Sequence, residues 1–262
     1  MQINTFRTVS REYAGNVNQC LILAAGKGTR LRKASHGLPK PLVPFRGKPI
    51  LEHIILAAHR AGINRFVIVV GYGSELIRRW FNQRFRGKVS VTWVENADYE
   101  KQNGISALKA RDVLQQNFLL LMADHVFEPQ TARVLLGQPL APGEVILAVD
   151  PNIDGIFDLD DATKVRRDGD RIVDIGKDIA HYDALDTGMF LCTPSLFDKL
   201  QSVVKDGNCS LSDGMRQLAN ERLLRALDIG EAGWQDLDTP EALAYAESTF
   251  GTHTTVAAGL AS

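Results

Sequence analysis

Gly26 and Gly28, one residue apart, directly follow the apolar run Leu21, Ile22, Leu23 and Ala24. Glycine lets the backbone take positive φ and come close to a ligand. Gly-x-Gly behind a strand therefore suggests a phosphate cradle made from backbone N–H groups and the start of the next helix. Two cations lie nearby. Arg30 stands just past the loop, and Lys40 is held between Pro39 and Pro41. Proline on both sides stiffens the chain, so the lysine is aimed by rigid backbone and not by a helix. A glycine loop with two aimed cations is what a nucleoside triphosphate needs. Two familiar phosphate loops are excluded. A dinucleotide fingerprint needs glycine where Leu31 stands, and a Walker loop needs a Gly-Lys-Ser/Thr triplet that does not follow.

Carboxylates complete the set. The apolar stretch 118–122 ends in Ala123-Asp124-His125, and open α/β sheets bind ligands at the carboxyl ends of their strands. Mg²⁺ prefers one or two carboxylates together with phosphate oxygens, which makes Asp124 a metal-ligand candidate. His125 either positions a second substrate or lies on the surface. Thr239 and Pro240 read as N-cap and first residue of a helix, which sets Asp238 just before its N-terminus.

These residues need a scaffold. Residues 21–24 lack helical spacing and fit a buried parallel strand. Ile50, Ile54 and Ala58 share one face and Gly62 stands at C′, so 50–61 is a helix. A second strand spans 65–70. Ser74 is expected to cap a helix in which Leu76 faces Trp80 and Ile77 faces Phe81. Val89, Val91 and Trp93 alternate as a third strand, and 145–149 is another. Past Pro151 the pattern becomes α+β. Residues 163–167 and 171–175 flank Asp168-Gly169 as a hairpin, and 189–192 forms a strand. Helices are expected at 194–203 and 212–221, with a strand at 223–227.

The chain has 262 residues, 45% of them hydrophobic, with a net charge of −1. That describes a globule with a substantial core and no overall basic surplus for nucleic acid. Cys20, Cys192 and Cys209 lack metal-like spacing and read as reduced buried thiols, consistent with a cytoplasmic protein. No export signal or apolar run of membrane-spanning length is present, so no membrane insertion is expected. Residues 1–17 form an N-terminal extension, 18–250 a single domain with a nucleotide half (about 18–150) and an acceptor half (about 151–230), and 251–262 a flexible tail. No internal repeat is visible, and the expected state is a monomer or homodimer.

The run Leu23-Ala24-Ala25-Gly26-Lys27-Gly28-Thr29-Arg30-Leu31, followed by Pro39-Lys40-Pro41-Leu42, resembles the signature of the sugar-1-phosphate nucleotidylyltransferase superfamily. The likeness extends over roughly 18–247. It implies an α/β fold, Rossmann-like and of the GT-A type, with a central, mostly parallel mixed sheet flanked by helices and a small α+β acceptor-binding insertion. By that resemblance Leu23, Ala24, Ala25, Gly26, Gly28 and Thr29 wrap the triphosphate. Arg30 stabilises the leaving pyrophosphate and Lys40 contacts the reacting phosphate. Asn103, Gly104 and Ser106 would line the base and ribose pocket, the alternative being a plain loop with a helix N-cap at Ser106. Mg²⁺ would be held by Asp124 and a second carboxylate, Asp238 first and Asp236 second.

Met122-Ala123-Asp124-His125-Val126, Asp161-Ala162-Thr163-Lys164-Val165, Ile175-Gly176-Lys177-Asp178 and Asp186-Thr187-Gly188 are similar, in order and spacing, to inositol-1-phosphate cytidylyltransferases. That likeness implies CTP and a small phosphorylated alcohol as substrates, with His125, Lys164, Lys177 and Asp186 on the acceptor side. In hyperthermophiles this domain is often fused to a membrane CDP-alcohol phosphotransferase. Here such a partner is expected to be a separate protein. Rival acceptors are phosphocholine, phosphoethanolamine, a phosphonate (Tyr99, Tyr182 and Trp234 could cage an amine) or a hexose-1-phosphate. A reading of another class is a catalytically silent nucleotide sensor, disfavoured by the complete charge set.

Overall fold

The computed structural model describes residues 17–32, 37–153, 157–230 and 232–250. The expected N-terminal extension (but for Val17) and the expected tail lie outside the described residues.

The chain begins with β1 (Gln19–Ala24), buried along its whole length. Its side chains alternate between two cores, Cys20, Ile22 and Ala24 into one and Leu21 and Leu23 into the other, as the two-residue period of a strand requires. The glycine loop leads to a single helical turn, α1 (Thr29–Arg32), and Lys40 opens a 3₁₀ turn, Lys40–Leu42. A two-stranded ribbon, β2 (Pro44–Phe45) and β3 (Lys48–Pro49), delivers the chain to α2 (Ile50–Arg60). This helix ends where expected, and Gly62 takes φ +111°.

Next come β4 (Arg65–Val70), α3 (Ser74–Phe85), β5 (Ser90–Glu95) and α4 (Asn103–Leu108). Ser74 does not cap α3. The N-cap is Gly73 at φ +67°, with no side-chain cap, and Ser74 is the first residue inside the helix. Nor does Ser106 cap α4, because Gln102 occupies the N-cap and Ser106 lies within the helix. β6 (Phe118–Met122) is followed, after a turn at Ala123 and Asp124, by β7 (His125–Phe127). The sequence reading passed over α5 (Pro129–Leu136), although Pro129 at its first position is a helix-start signal.

The second half comprises β8 (Val145–Asp150), the hairpin β9 (Lys164–Asp168) and β10 (Arg171–Gly176), and the nine-residue β11 (Ala184–Cys192). Then follow α6 (Ser195–Ser202), α7 (Leu211–Asn220), β12 (Leu224–Asp228), β13 (Trp234–Asp236) and α8 (Pro240–Thr249). A capping box starts α7, with Ser210 Oγ accepting from Asp213 N at 3.0 Å and Ser210 N donating to Asp213 Oδ2 at 2.8 Å.

The main sheet runs β5-β4-β1-β6-β11-β8-β12-β10-β9. Parallel pairs join β5, β4, β1 and β6, and again β8 and β12. The remaining neighbours are antiparallel, so the sheet is mixed and its parallel part is concentrated at the end formed by β5, β4, β1 and β6. β9 also pairs with β11, which curls the opposite end of the sheet back on itself. Apolar faces of α2, α3 and α5 cover one side of the sheet, and those of α4, α6 and α7 cover the other. Each Leu, Ile or Phe fully buried in these layers contributes about 1.5–3 kcal/mol.

Candidate active site

Two adjoining clefts open at the carboxyl ends of β1 and β6, and Asp124 and Asp238 line both. One, of about 230 Å³, is formed by Leu23, Ala24, Gly26, Gly28, Thr29, Arg30 and Lys40. Gly28 has φ +56°, and a Cβ there would lie 2.5 Å from Lys40 Cβ. The glycine therefore lets the loop close directly onto the lysine. Ala25 points away from the cleft into the core, its carbonyl accepting from Tyr72 N at 3.0 Å.

Lys40 is 7% exposed, and its ammonium must meet partners. Nζ donates to Asp124 Oδ2 at 2.8 Å and also pairs with Asp238. Asp238 pairs in turn with Arg30, and Arg30 Nη1 donates to Asp161 Oδ2 at 2.6 Å. Asp161 Oδ1 accepts from Lys177 Nζ at 2.5 Å. Charges thus alternate across the cleft from Lys40 to Lys177. Burial raises the Asp161 carboxyl, but hydrogen bonds from Lys177 and Arg30 outweigh it and hold the group below its ordinary value.

The second cleft, about 240 Å³, includes Lys177, Asp161, His125, Asp186, Asp236 and Trp234. The antiparallel pair β7–β13 builds its wall and places His125 opposite Asp236. Asp124 is tied to the same ribbon, its carbonyl accepting from Leu237 N at 3.0 Å. The His125 ring lies between Asp124 (3.5 Å) and Asp236 (3.4 Å). Burial opposes a charged imidazole, yet Asp236, Asp124 and Asp186 push its pKa up to about 9. Burial also raises Asp124, but Lys40 and His125 bring it down to about 2. Asp186 is pushed up to about 6 by burial, against the hydrogen bond it accepts from Gly188 N at 2.8 Å. Trp234 packs 5.8 Å from the His125 ring and donates its indole N–H to Asp150 Oδ2 at 2.7 Å.

Several expected residues stand elsewhere. Lys164 does not line either cleft. Its ammonium donates to the carbonyls of Lys177 (3.0 Å), Ala162 (3.4 Å) and Asp160 (3.5 Å), bracing the segment that carries Lys177. Ser106 is buried, with Oγ accepting from Asn96 Nδ2 at 2.9 Å. Gly104 is packed so tightly that a Cβ would meet Cys209 O at 2.7 Å. Asn103 lines the second cleft, but its Oδ1 accepts from Leu211 N at 2.8 Å. The side chains of Asn103 and Ser106, with the close packing of Gly104, thus hold α4 against the start of α7 and the residue that follows β5. Tyr99 and Tyr182 face Lys27 and Lys164, each 5.8 Å away, so no cage forms around Trp234. Asp161, at the centre of the charge chain, was missed as a site residue. Its signals are its place in an acidic run with Asp158 and Asp160 and at the head of the Asp161-Ala162-Thr163-Lys164-Val165 stretch.

The acidic groups suit a hard cation. Asp124 Oδ1 and Asp236 Oδ1 are buried and without a hydrogen-bond partner among the described residues. Ligand atoms of Asp124, His125 and Asp236 lie within 4.8 Å of one another, as do those of Asp161, Asp236 and Asp238.

Residues 20–222 match the MobA-like NTP transferase domain. The chain belongs to that family. Among curated relatives, the bifunctional IPC transferase and DIPP synthase of Rubrobacter xylanophilus is 36% identical over 92% of this chain and 53% of its own length. The protein of the same description from Aquifex aeolicus is 30% identical over 86% of this chain and 50% of its own. The chain therefore spans about half the length of these relatives. Among solved structures, the inositol-1-phosphate CTP transferase from T. maritima superposes with a TM-score of 0.79 at 27% identity, covering 87% of this chain and 92% of that one. The Rossmann-like nucleotidyltransferase fold and the family resemblance read from the glycine loop both hold. Among the described residues, no helix is long and apolar enough to cross a membrane.

Proposed function

We propose that the chain transfers the cytidylyl group of CTP to inositol-1-phosphate, giving CDP-inositol and pyrophosphate. One observation carries this reading. Asp124 and Asp238 form the common wall of a glycine-loop cleft and a polar acceptor cleft, which is where a phosphorus atom passing between two substrates must sit. The choice of CTP and inositol phosphate is supported by the relatives above.

An acceptor phosphate oxygen attacks the α-phosphorus of CTP as the bond to the α,β-bridging oxygen breaks, and pyrophosphate leaves. Lys40 is the cation nearest the shared wall, and Arg30 lies on the glycine-loop side. They neutralise charge on the reacting phosphate and on the departing pyrophosphate. Leu23, Ala24, Gly26, Gly28 and Thr29 cradle the triphosphate, and the α4 segment of Asn103, Gly104 and Ser106 would present backbone to the base. On the acceptor side Lys177 holds the phosphate, while Asp186 and His125 face the rest of the molecule. Lys164 contributes by bracing Lys177. Catalysis is positioning plus electrostatics, with no protein nucleophile.

Mg²⁺ is the proposed cofactor, held by Asp124 with Asp236 or Asp238, and when bound it supplies charge neutralisation at phosphate oxygens. In the free protein Asp238 faces Lys40 and Arg30, whereas Asp236 keeps an unpartnered oxygen. We therefore place Asp236 ahead of Asp238 as the second ligand, reversing the order drawn from the sequence. We place the enzyme in the cytoplasm as a monomer or homodimer. Its product would be consumed by a membrane CDP-alcohol phosphotransferase, supplied as a separate partner or as further sequence.

A second reading is an amine-bearing acceptor. Trp234, Asp161 and Asp186 line the same cleft, a setting that suits a cation, and a 2-aminoethylphosphonate cytidylyltransferase of Lancefieldella rimae is 34% identical over 57% of this chain. Pyrophosphate release with Mg²⁺ decides between them, crossing CTP, UTP, dTTP, GTP and ATP against inositol-1-phosphate, phosphocholine, 2-aminoethylphosphonate and glucose-1-phosphate. Turnover confined to CTP with inositol-1-phosphate is expected. Turnover with an amine-bearing acceptor instead would transfer the assignment, and silence with CTP bound would point to a sensor.

A further inference from the structure

Behind the β7–β13 ribbon lies a groove that the reaction does not use. Its volume is about 480 Å³, within the roughly 300–1,000 Å³ of small-molecule sites. Its floor is apolar. Val126 and Phe127 of β7 are buried there, Leu56 comes from α2, and Phe250 follows α8.

The walls are basic. Arg46 and Lys48 stand at the β2–β3 turn, Arg60 at the end of α2 and Arg133 on α5. One carboxylate, Glu128, shares the lining. The whole chain carries 30 Lys and Arg against 31 Asp and Glu, so four strong cations to one acid is not its average surface. The side-chain donors of two of them meet neutral carbonyls. Arg46 Nη2 donates to Glu247 O at 3.0 Å, and Arg133 Nη2 donates to Arg60 O at 3.0 Å. Glu247 lies close as well, its Oε1 accepting from the Arg46 backbone at 3.4 Å. His53 registers the local field. Its imidazole is held below the ordinary value, first by burial and also by Lys48 and Arg46.

We propose that this groove binds a phosphate ester with an apolar or planar body, its phosphate held by Arg46, Lys48, Arg60 and Arg133 and its body lying on Phe127 and Phe250. Guanidinium groups match phosphate oxygens in pairs, and three of the four cations are arginines. A purely anionic ligand would have no use for the aromatic floor. The ester is either a soluble metabolite or the headgroup of a phospholipid, since both present the same chemistry.

The test uses the full chain, with Arg60→Glu/Arg133→Glu and, separately, Lys48→Glu as variants at exposed positions outside the catalytic clefts. Probes are CDP, dioctanoyl phosphatidic acid, and vesicles of phosphatidylcholine with or without phosphatidylglycerol. A second binding event, beyond that of the catalytic clefts, is expected in the wild type and weakened about tenfold or more in both variants, with pyrophosphate release unchanged. Loss confined to a soluble probe names a metabolite, and loss confined to sedimentation with anionic vesicles names a headgroup. Identical binding of every probe by wild type and variants overturns the proposal, as does a single binding event throughout.

Discussion

Arg30 of the glycine loop reaches Asp161 of the acceptor half at 2.6 Å, across 131 residues of sequence. The contact spans the space where two phosphates are proposed to meet. An incoming phosphate must therefore compete with a carboxylate for the arginine. Asp161→Asn should relieve that competition and tighten pyrophosphate binding severalfold by calorimetry. Weaker binding in the variant would mean that Asp161 orients Arg30 and Lys177 and does not oppose their ligands.

Lys177 and Lys164 differ in what their ammonium groups touch, and their variants should differ accordingly. Lys177→Ala should raise the acceptor KM about ten- to a hundredfold, the value of a charge-assisted hydrogen bond, and leave the CTP KM nearly unchanged. Lys164→Ala should act more weakly in the same direction, because it loosens the backbone carbonyls around Lys177 and touches neither cleft. Equal changes in both KM values would remove Lys177 from the acceptor.

Mn²⁺ binding followed by electron paramagnetic resonance can rank the carboxylates. Asp124→Asn should abolish tight binding. Asp236→Asn should weaken it more than Asp238→Asn, whose carboxylate already neutralises Lys40 and Arg30. The reverse order would restore Asp238 as the second ligand.

Gly188 combines φ +74° with a position 2.3 Å from His125 Nδ1, measured from where a Cβ would be. Gly188→Ala should therefore destabilise the fold by about 1–3 kcal/mol and displace the histidine. Chemical denaturation and kcat measured together would show both effects. A stable variant of normal activity would mean that the irregularity in β11 between Asp186 and Phe190 yields freely.

In chelator, His125 should make the metal-free protein pH-sensitive. Its pKa rises on folding from about 6.5 to about 9, through Asp236, Asp124 and Asp186 and against burial. Its stabilisation is therefore complete below about pH 6.5 and lost as pH climbs through 9. The Tm of the wild type should fall over that upper range, and His125→Gln should flatten the fall. A parallel decline in both proteins would exclude the histidine as its source.

The glycine loop, Lys40 and Asp124 were legible because each depends on chemistry local to a few residues: positive φ, flanking prolines and a strand end. The N-cap at Thr239 belongs to the same class, with Oγ1 accepting from Ala242 N at 3.1 Å. What escaped depends on partners distant in sequence. Trp234 and Asp150 are 84 residues apart, and nothing near either one announces the bond. Lys164 had the right charge in the right segment, and only the fold shows that it faces three carbonyls. Ser106 looked free for a ligand until Asn96 was brought beside it.

β11 has one more consequence. It is made after the β9–β10 hairpin, yet it lies between β6 and β8 in the middle of the sheet. A nascent or truncated chain ending near Asp150 would present Phe118–Met122 as a bare apolar edge, the kind of strand that recruits other chains. The strands before and after Asp150 therefore form one folding unit. A fragment holding the entire glycine loop should aggregate until β11 is supplied.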